Sequence, residues 1–144
     1  MLTQQRADTL MNMQKVIPAS APITFPLLNE EICLEAQSRD GRETFNYYVN
    51  RKGTIKLTKC TYIERYAVIE NLVRLDLDGA PHTNPDGQTI PCPHIHIYRE
   101  GFGDKWAFPL PPIFTNTNDL VRTFQDFLAY TNVVEYPLIQ YSLH

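Results

Sequence analysis

Residues 31–50 read EICLEAQSRDGRETFNYYVN, and this stretch decides the fold class. Ile32, Leu34 and Ala36 alternate with Cys33 and Glu35, the period of a strand with one buried face. Asp40-Gly41 is a two-residue hairpin signal, because both residues tolerate the positive φ that such a turn demands. Phe45, Tyr47 and Val49 repeat the alternation on the return strand. An antiparallel pair is expected.

Further along, Asn50 to Gly53 supplies a second turn, and Ile55 with Leu57 marks a third strand. A fourth strand is expected over 71–78, where Val73, Leu75 and Leu77 alternate with Arg74, Asp76 and Asp78 on a wet face. The run 79–91 is rich in turn formers, with Asn84-Pro85-Asp86-Gly87 its tightest point. A short strand over 92–99 follows, then a glycine turn over 100–104. Trp106, Phe108 and Leu110 mark one more strand, ended by Pro109, Pro111 and Pro112. Leu120, Val121, Phe124, Phe127 and Leu128 share one face of a helix over 118–131, with Asn116 as its expected N-cap. The tail, 133–141, reads as an edge strand.

Upstream, 3–16 reads as a helix capped by Thr3, and Pro18, Pro22 and Pro26 enforce an extended linker. The expected architecture is α+β: an antiparallel meander sheet with an N-terminal helix and a C-terminal amphipathic helix. It occupies 1–144 as a single domain: helix 1–16, proline-rich linker 17–30, sheet 31–112, and helix plus C-terminal strand 116–144.

Composition narrows the function classes. The chain has 144 residues, 43% of them hydrophobic and 11% aromatic, enough for a core. No apolar run reaches the roughly 18–20 residues of a membrane span, and no signal-peptide core is visible, so a cytoplasmic location is expected. Thirteen Lys and Arg against sixteen Asp and Glu leave a net charge of −3, which argues against coating nucleic acid by bulk electrostatics. The three cysteines, Cys33, Cys60 and Cys92, form no CxxC pair and no disulfide framework.

Three of the four histidines fall within fifteen positions: His82, His94 and His96, with Cys92 among them. On an extended strand His94 and His96 point to the same face, about 7 Å apart at the backbone, and can converge on one ion. The candidate ligands are Cys60, His82, Cys92, His94 and His96, and mixed Cys/His ligation indicates zinc. Asp76 and Asp78 are placed to hydrogen-bond the second nitrogen of a ligating ring. The plainer alternative is a set of hydrogen-bonded histidines on a partly buried strand. A catalytic alternative uses His82, His94 and His96 with Arg74, or with Arg99, on a phosphodiester. Residues 51–65 carry Arg51, Lys52, Lys56, Lys59 and Arg65 beside Tyr47, Tyr48, Tyr62 and Tyr66, a pattern that can engage nucleic acid by charge and stacking.

The segments LTKCTYIERY (57–66), LVRLDLDGAPHTNPDG (72–87) and PCPHIHIYREGFGDKWAFPLP (91–111) resemble an uncharacterised family of bacterial and prophage proteins, a domain of unknown function. The resemblance implies a small accessory protein of bacterial or phage genomes and supplies no catalytic residues. Two functions follow. The first is stoichiometric binding to a protein partner, as an anti-defence inhibitor such as an anti-CRISPR or as a regulator, with a structural zinc. The second is a small His- or metal-dependent phosphodiesterase or ribonuclease of toxin type. Cysteine among the candidate ligands favours a closed structural site, and hence the first.

Overall fold

The computed structural model describes residues 1–53 and 56–142. Helix α1 (Gln4–Asn12) is capped by Thr3, whose hydroxyl accepts from the Arg6 amide. It stops short of the expected 3–16 span because Lys15 and Val16 form strand β1 (Lys15–Val16), which pairs on both sides. The proline-rich linker is docked along part of its length: it contains β2 (Ile23–Thr24), and Phe25 beside it is buried. Strands β3 (Glu31–Ser38) and β4 (Thr44–Asn50) follow as the expected antiparallel pair. Their register opposes Gln37 to Thr44, so the connection is longer than a two-residue turn; Gly41 sits within it at φ 74°.

The third strand of this series is β5 (Thr61–Tyr66). The expectation at Ile55 and Leu57 fails at Leu57, which is exposed in a turn, while Ile55 lies outside the described residues. Strand β6 (Glu70–Asp76) comes next. The 79–91 run forms a small hairpin, β7 (His82–Thr83) with β8 (Thr89–Ile90), rather than an irregular loop. Strands β9 (His94–Ile97) and β10 (Ala107–Pro109) lead to helix α2 (Leu120–Tyr130), then β11 (Val133–Glu135) and β12 (Ile139–Gln140). The N-cap of α2 is Asp119 instead of Asn116; its carboxylate accepts from the Arg122 amide at 3.0 Å, satisfying a helix-start donor.

Among the described residues the main sheet has eight strands in the order β10-β9-β6-β5-β4-β3-β1-β11, antiparallel throughout except for β1 with β11. The pairs β2 with β12 and β7 with β8 form two small sheets. The molecule is therefore α+β, with a mostly antiparallel sheet and two helices.

Alternation separates the two faces of the main sheet. On one face Phe45, Tyr47, Val49, Tyr62, Leu75 and Ile95 are fully buried, joined in one apolar cluster by Ala7 and Leu10 of α1 and Phe124, Phe127 and Leu128 of α2. The Tyr62 ring stacks on Phe124 at 5.8 Å and lies 5.9 Å from Phe127, and its hydroxyl donates to the Leu120 carbonyl. Burying each such ring contributes about 2–3 kcal/mol relative to exposing it. One charged pair interrupts this face. Lys15 and Glu64 are both fully buried, 2.8 Å apart; Lys15 also donates to the carbonyls of Thr131 and Met11, and the Tyr47 hydroxyl donates to Glu64. Burial pushes the lysine down and the glutamate up from their ordinary values, and the mutual attraction opposes both shifts. The opposite face carries Thr61, Arg74, Asp76, His94 and His96.

Candidate metal centre

Antiparallel pairing of β6 with β9 sets Asp76 directly opposite His94 and Arg74 directly opposite His96. Opposed residues share a face, so four polar side chains form a two-by-two block on the side of the sheet away from the aromatic core. Hairpin β7–β8 folds beside the block, held by the Asn84 side chain, which donates to and accepts from the Ala107 backbone. That places the His82 ring 4.6 Å from His96 and 6.1 Å from His94, while His94 and His96 lie 4.8 Å apart, centroid to centroid.

Hydrogen bonds orient the rings. The His96 Nδ1 donates to the Asp104 carbonyl at 2.8 Å; a carbonyl can only accept, so the ring proton sits there. The His96 Nε2 is then left with a lone pair, buried and without a hydrogen-bond partner, 3.2 Å from the Asp76 Oδ2 but off hydrogen-bonding geometry. His94 differs, with both ring nitrogens facing acceptors: its Nδ1 lies 3.2 Å from the Ile90 carbonyl, and its Nε2 hydrogen-bonds the same Asp76 oxygen at 3.2 Å. Asp76 also accepts from the Arg74 guanidinium and, at 2.9 Å, from the Thr61 hydroxyl. Burial opposes ionisation of Asp76, yet the donors on Arg74 and Thr61 outweigh it and hold the carboxyl well below the usual carboxylate range. An anionic oxygen and two imidazole nitrogens thus converge within 4.8 Å of one another. This group can hold a metal ion, with the backbone carbonyls fixing the ring orientations as outer partners do in metal sites.

The structure brings together two of the five residues expected as ligands, and adds Asp76. Cys60 sits in the apolar core on the other face, its thiol pushed up to about 12 by burial. Strand alternation explains the separation: Thr61 faces the centre, so its neighbour faces away. Cys92 approaches the His94 ring, with Sγ 3.6 Å from Nδ1, but lies outside the convergent group; burial and the charges of Asp76 and Asp78 push its thiol up from the ordinary value. His82 is turned outward, its Nε2 donating to the Lys105 carbonyl at 2.7 Å, and it stands beside the convergent group without joining it. Asp76, expected on the wet face as an outer partner, is 9% exposed and lies among the ligand atoms. Asp78 instead binds Thr58 and the Gly79 amide. The signal for Asp76 was its alternation with Leu75 and Leu77, but only the β6–β9 register identifies its neighbours.

A cleft of about 300 Å³ opens beside the centre, lined by Lys59, Thr61, Arg74, Asp76, Asp78 and Cys92 among others. A second recess, about 540 Å³, lies against His82, Phe102 and Lys105. Another cavity, of about 290 Å³, is lined by Asp8, Met11, Val73, Ile97 and Tyr130 and contains none of the histidines. Of the two arginines considered for phosphodiester chemistry, Arg74 adjoins the centre and Arg99 stacks on Trp106 at 4.6 Å. The basic run 51–65 is largely satisfied internally. Arg51 is buried on the carbonyls of Pro26 and Leu57, Lys52 pairs with Glu31, Lys56 with Asp78, and Arg65 lies over Tyr48. Tyr47 and Tyr62 are in the core and present no stacking surface.

Fold and centre together define a class: an α+β domain with a buried Asp-His-His cluster on one face of its sheet. The chain belongs to a family of unknown function, DUF6978, whose model matches residues 2–133. No curated protein and no solved structure matches the chain. Among the described residues no helix is long and apolar enough to cross a membrane.

Proposed function

We propose that this protein is a small zinc-dependent hydrolase whose ion is held by Asp76, His94 and His96. The observation that carries the reading is the convergence of two buried ring nitrogens on one Asp76 oxygen, His94 Nε2 and His96 Nε2 each 3.2 Å from it and the latter without a hydrogen-bond partner. Both ring nitrogens can give a lone pair to a cation, and the carboxylate adds an anionic ligand. One divalent ion placed among them would engage all three groups at once. Two nitrogens and one oxygen suit zinc, and three protein ligands leave a fourth position for water or substrate. When bound, zinc supplies a water of lowered pKa, near 7, and polarises the scissile group. The chain itself supplies the rest: Arg74 holds the Asp76 carboxylate, Thr61 fixes its second oxygen, and the cleft at Asp76 gives an approach.

The removal of Cys60 and Cys92 from the convergent group takes away the reason for preferring a closed site. A second reading keeps one observation in its favour: His94 and His96 are each only 2% exposed, as suits a structural zinc in a domain that acts by binding a protein partner. Elemental analysis of untagged protein, combined with hydrolysis of p-nitrophenyl acetate, p-nitrophenyl phosphate and bis(p-nitrophenyl) phosphate, separates the readings. One zinc per chain with zinc-dependent turnover, both lost in His96→Ala, is the expected result. Zinc without turnover supports the structural reading, and no bound transition metal removes both.

A further inference from the structure

We propose that the cleft beside the centre binds a phosphoryl oxyanion, so that the substrate of the hydrolase is a phosphate monoester. The inference rests on the zinc reading and names its substrate class. The charged groups lining the cleft are Lys59, Arg74, Asp76 and Asp78, which sum to zero. Asp76 is committed to the centre, and Asp78 is engaged by Thr58, the Gly79 amide and Lys56. Lys59 lines the cleft, is exposed, and has no ion-pair partner among the described residues. Arg74 directs Nε and Nη2 at Asp76, while its Nη1 stands 3.6 Å from Asp104, beyond hydrogen-bond reach, leaving donors on a half-exposed guanidinium. A divalent ion on Asp76, His94 and His96 would add two positive charges to this lining, with Asp104, ion-paired to Arg74 at 3.6 Å, a further acidic group beside it.

This arrangement selects by charge and by oxygen count. The ion, the remaining Arg74 Nη donors and the Lys59 ammonium are three separate attractors around one small space. A carboxylate or a phosphodiester offers two free oxygens, whereas a phosphate monoester offers three and inorganic phosphate four, enough to engage all of them. Cations placed around a transferring phosphoryl group also stabilise the charge that develops in its displacement. In that displacement water forms the new P–O bond, the ester oxygen leaves with the electron pair of the broken one, and the proton lost by water ends on the leaving group or in solvent. Without the ion the net attraction disappears, so anion binding and metal binding are coupled.

The test titrates inorganic phosphate, with acetate in parallel, into zinc-loaded and zinc-free protein by calorimetry. Phosphate is expected to bind only the zinc-loaded form. Lys59→Gln should weaken that binding about tenfold, with zinc stoichiometry unchanged and Lys52→Gln, outside the cleft, as control. Acetate binding as tightly as phosphate overturns the phosphoryl assignment and leaves the zinc reading standing. So does phosphate binding that ignores Lys59→Gln. A protein that takes up no zinc overturns the reading beneath it, and the two failures are read from separate measurements.

Discussion

Zinc should raise the thermal stability of this protein by an amount that can be worked out beforehand. The convergent group belongs to the folded state alone, since Asp76 and His94 are brought opposite each other by the β6–β9 register. A ligand that binds only the folded form stabilises it by RT ln(1 + [L]/Kd), about 2.7 kcal/mol when free zinc is a hundredfold above Kd. Unfolding entropy near 2.1 cal/mol/K per residue amounts to about 0.3 kcal/mol/K for this chain, so Tm should rise by about 9 °C. The comparison is made by differential scanning calorimetry in buffered zinc and in EDTA. His96→Ala is judged against its own EDTA baseline, because loss of a buried ring lowers Tm by itself. Asp76→Asn keeps the shape and removes the charge, and both variants should show a zinc-induced rise below about 2 °C. A wild-type Tm indifferent to zinc, or an undiminished rise in both variants, would refute the reasoning.

Further expectations concern the scaffold and the displaced cysteines. Lys15→Met should cost about 3–5 kcal/mol by urea unfolding, because it strands the Glu64 carboxylate in the core, whereas Lys15→Met with Glu64→Leu should recover most of the loss; equal costs would contradict the pairing. Cys60→Ser should leave zinc stoichiometry at the wild-type value while lowering stability by about 1–3 kcal/mol through an unsatisfied hydroxyl; loss of zinc would return Cys60 to the ligand set. Glu43 is held below its ordinary value by the Tyr66 hydroxyl, against some desolvation, with help from Arg6. Its contribution is therefore present above about pH 4.5 and lost as pH falls below it, so the stability gap between wild type and Glu43→Gln should close on acidification. A gap that widens would reverse the sign.

Legibility in the sequence followed the chemistry of each element. Strands β3 and β4 could be read because their buried faces are apolar and the alternation is clean. Strand β5 could not, because its inward series is Tyr62, Glu64 and Tyr66: a charge in the middle of a core face breaks the pattern. Its partner Lys15 lies far away in sequence, in a stretch that reads as helix, so neither half of the pair announces the other. Helix α2 was visible from its stripe of leucine and phenylalanine, although its cap moved to Asp119. At the centre, His94 and His96 were legible from a spacing of two. Asp76 was assigned to solvent because local alternation cannot show that a second layer, hairpin β7–β8, and strand β9 enclose that face. Cys60 was misplaced for the converse reason: without β5, nothing indicated which way it pointed.

The parallel pairings of β1 with β11 and of β2 with β12 have a consequence for synthesis. Lys15 meets Val133, and Ile23 meets Ile139, each more than a hundred residues later in the chain. As the polypeptide leaves the ribosome, its opening strands lack these neighbours until the segment after α2 has emerged. The central strands β3 to β6 pair with sequence neighbours and can assemble much earlier. In that interval Lys15 has Glu64 within reach but lacks the Thr131 carbonyl, and the unfilled edge of β1 is open to another chain. A nascent chain arrested before residue 133 should therefore be prone to association, whereas one in which β11 has emerged covers that edge.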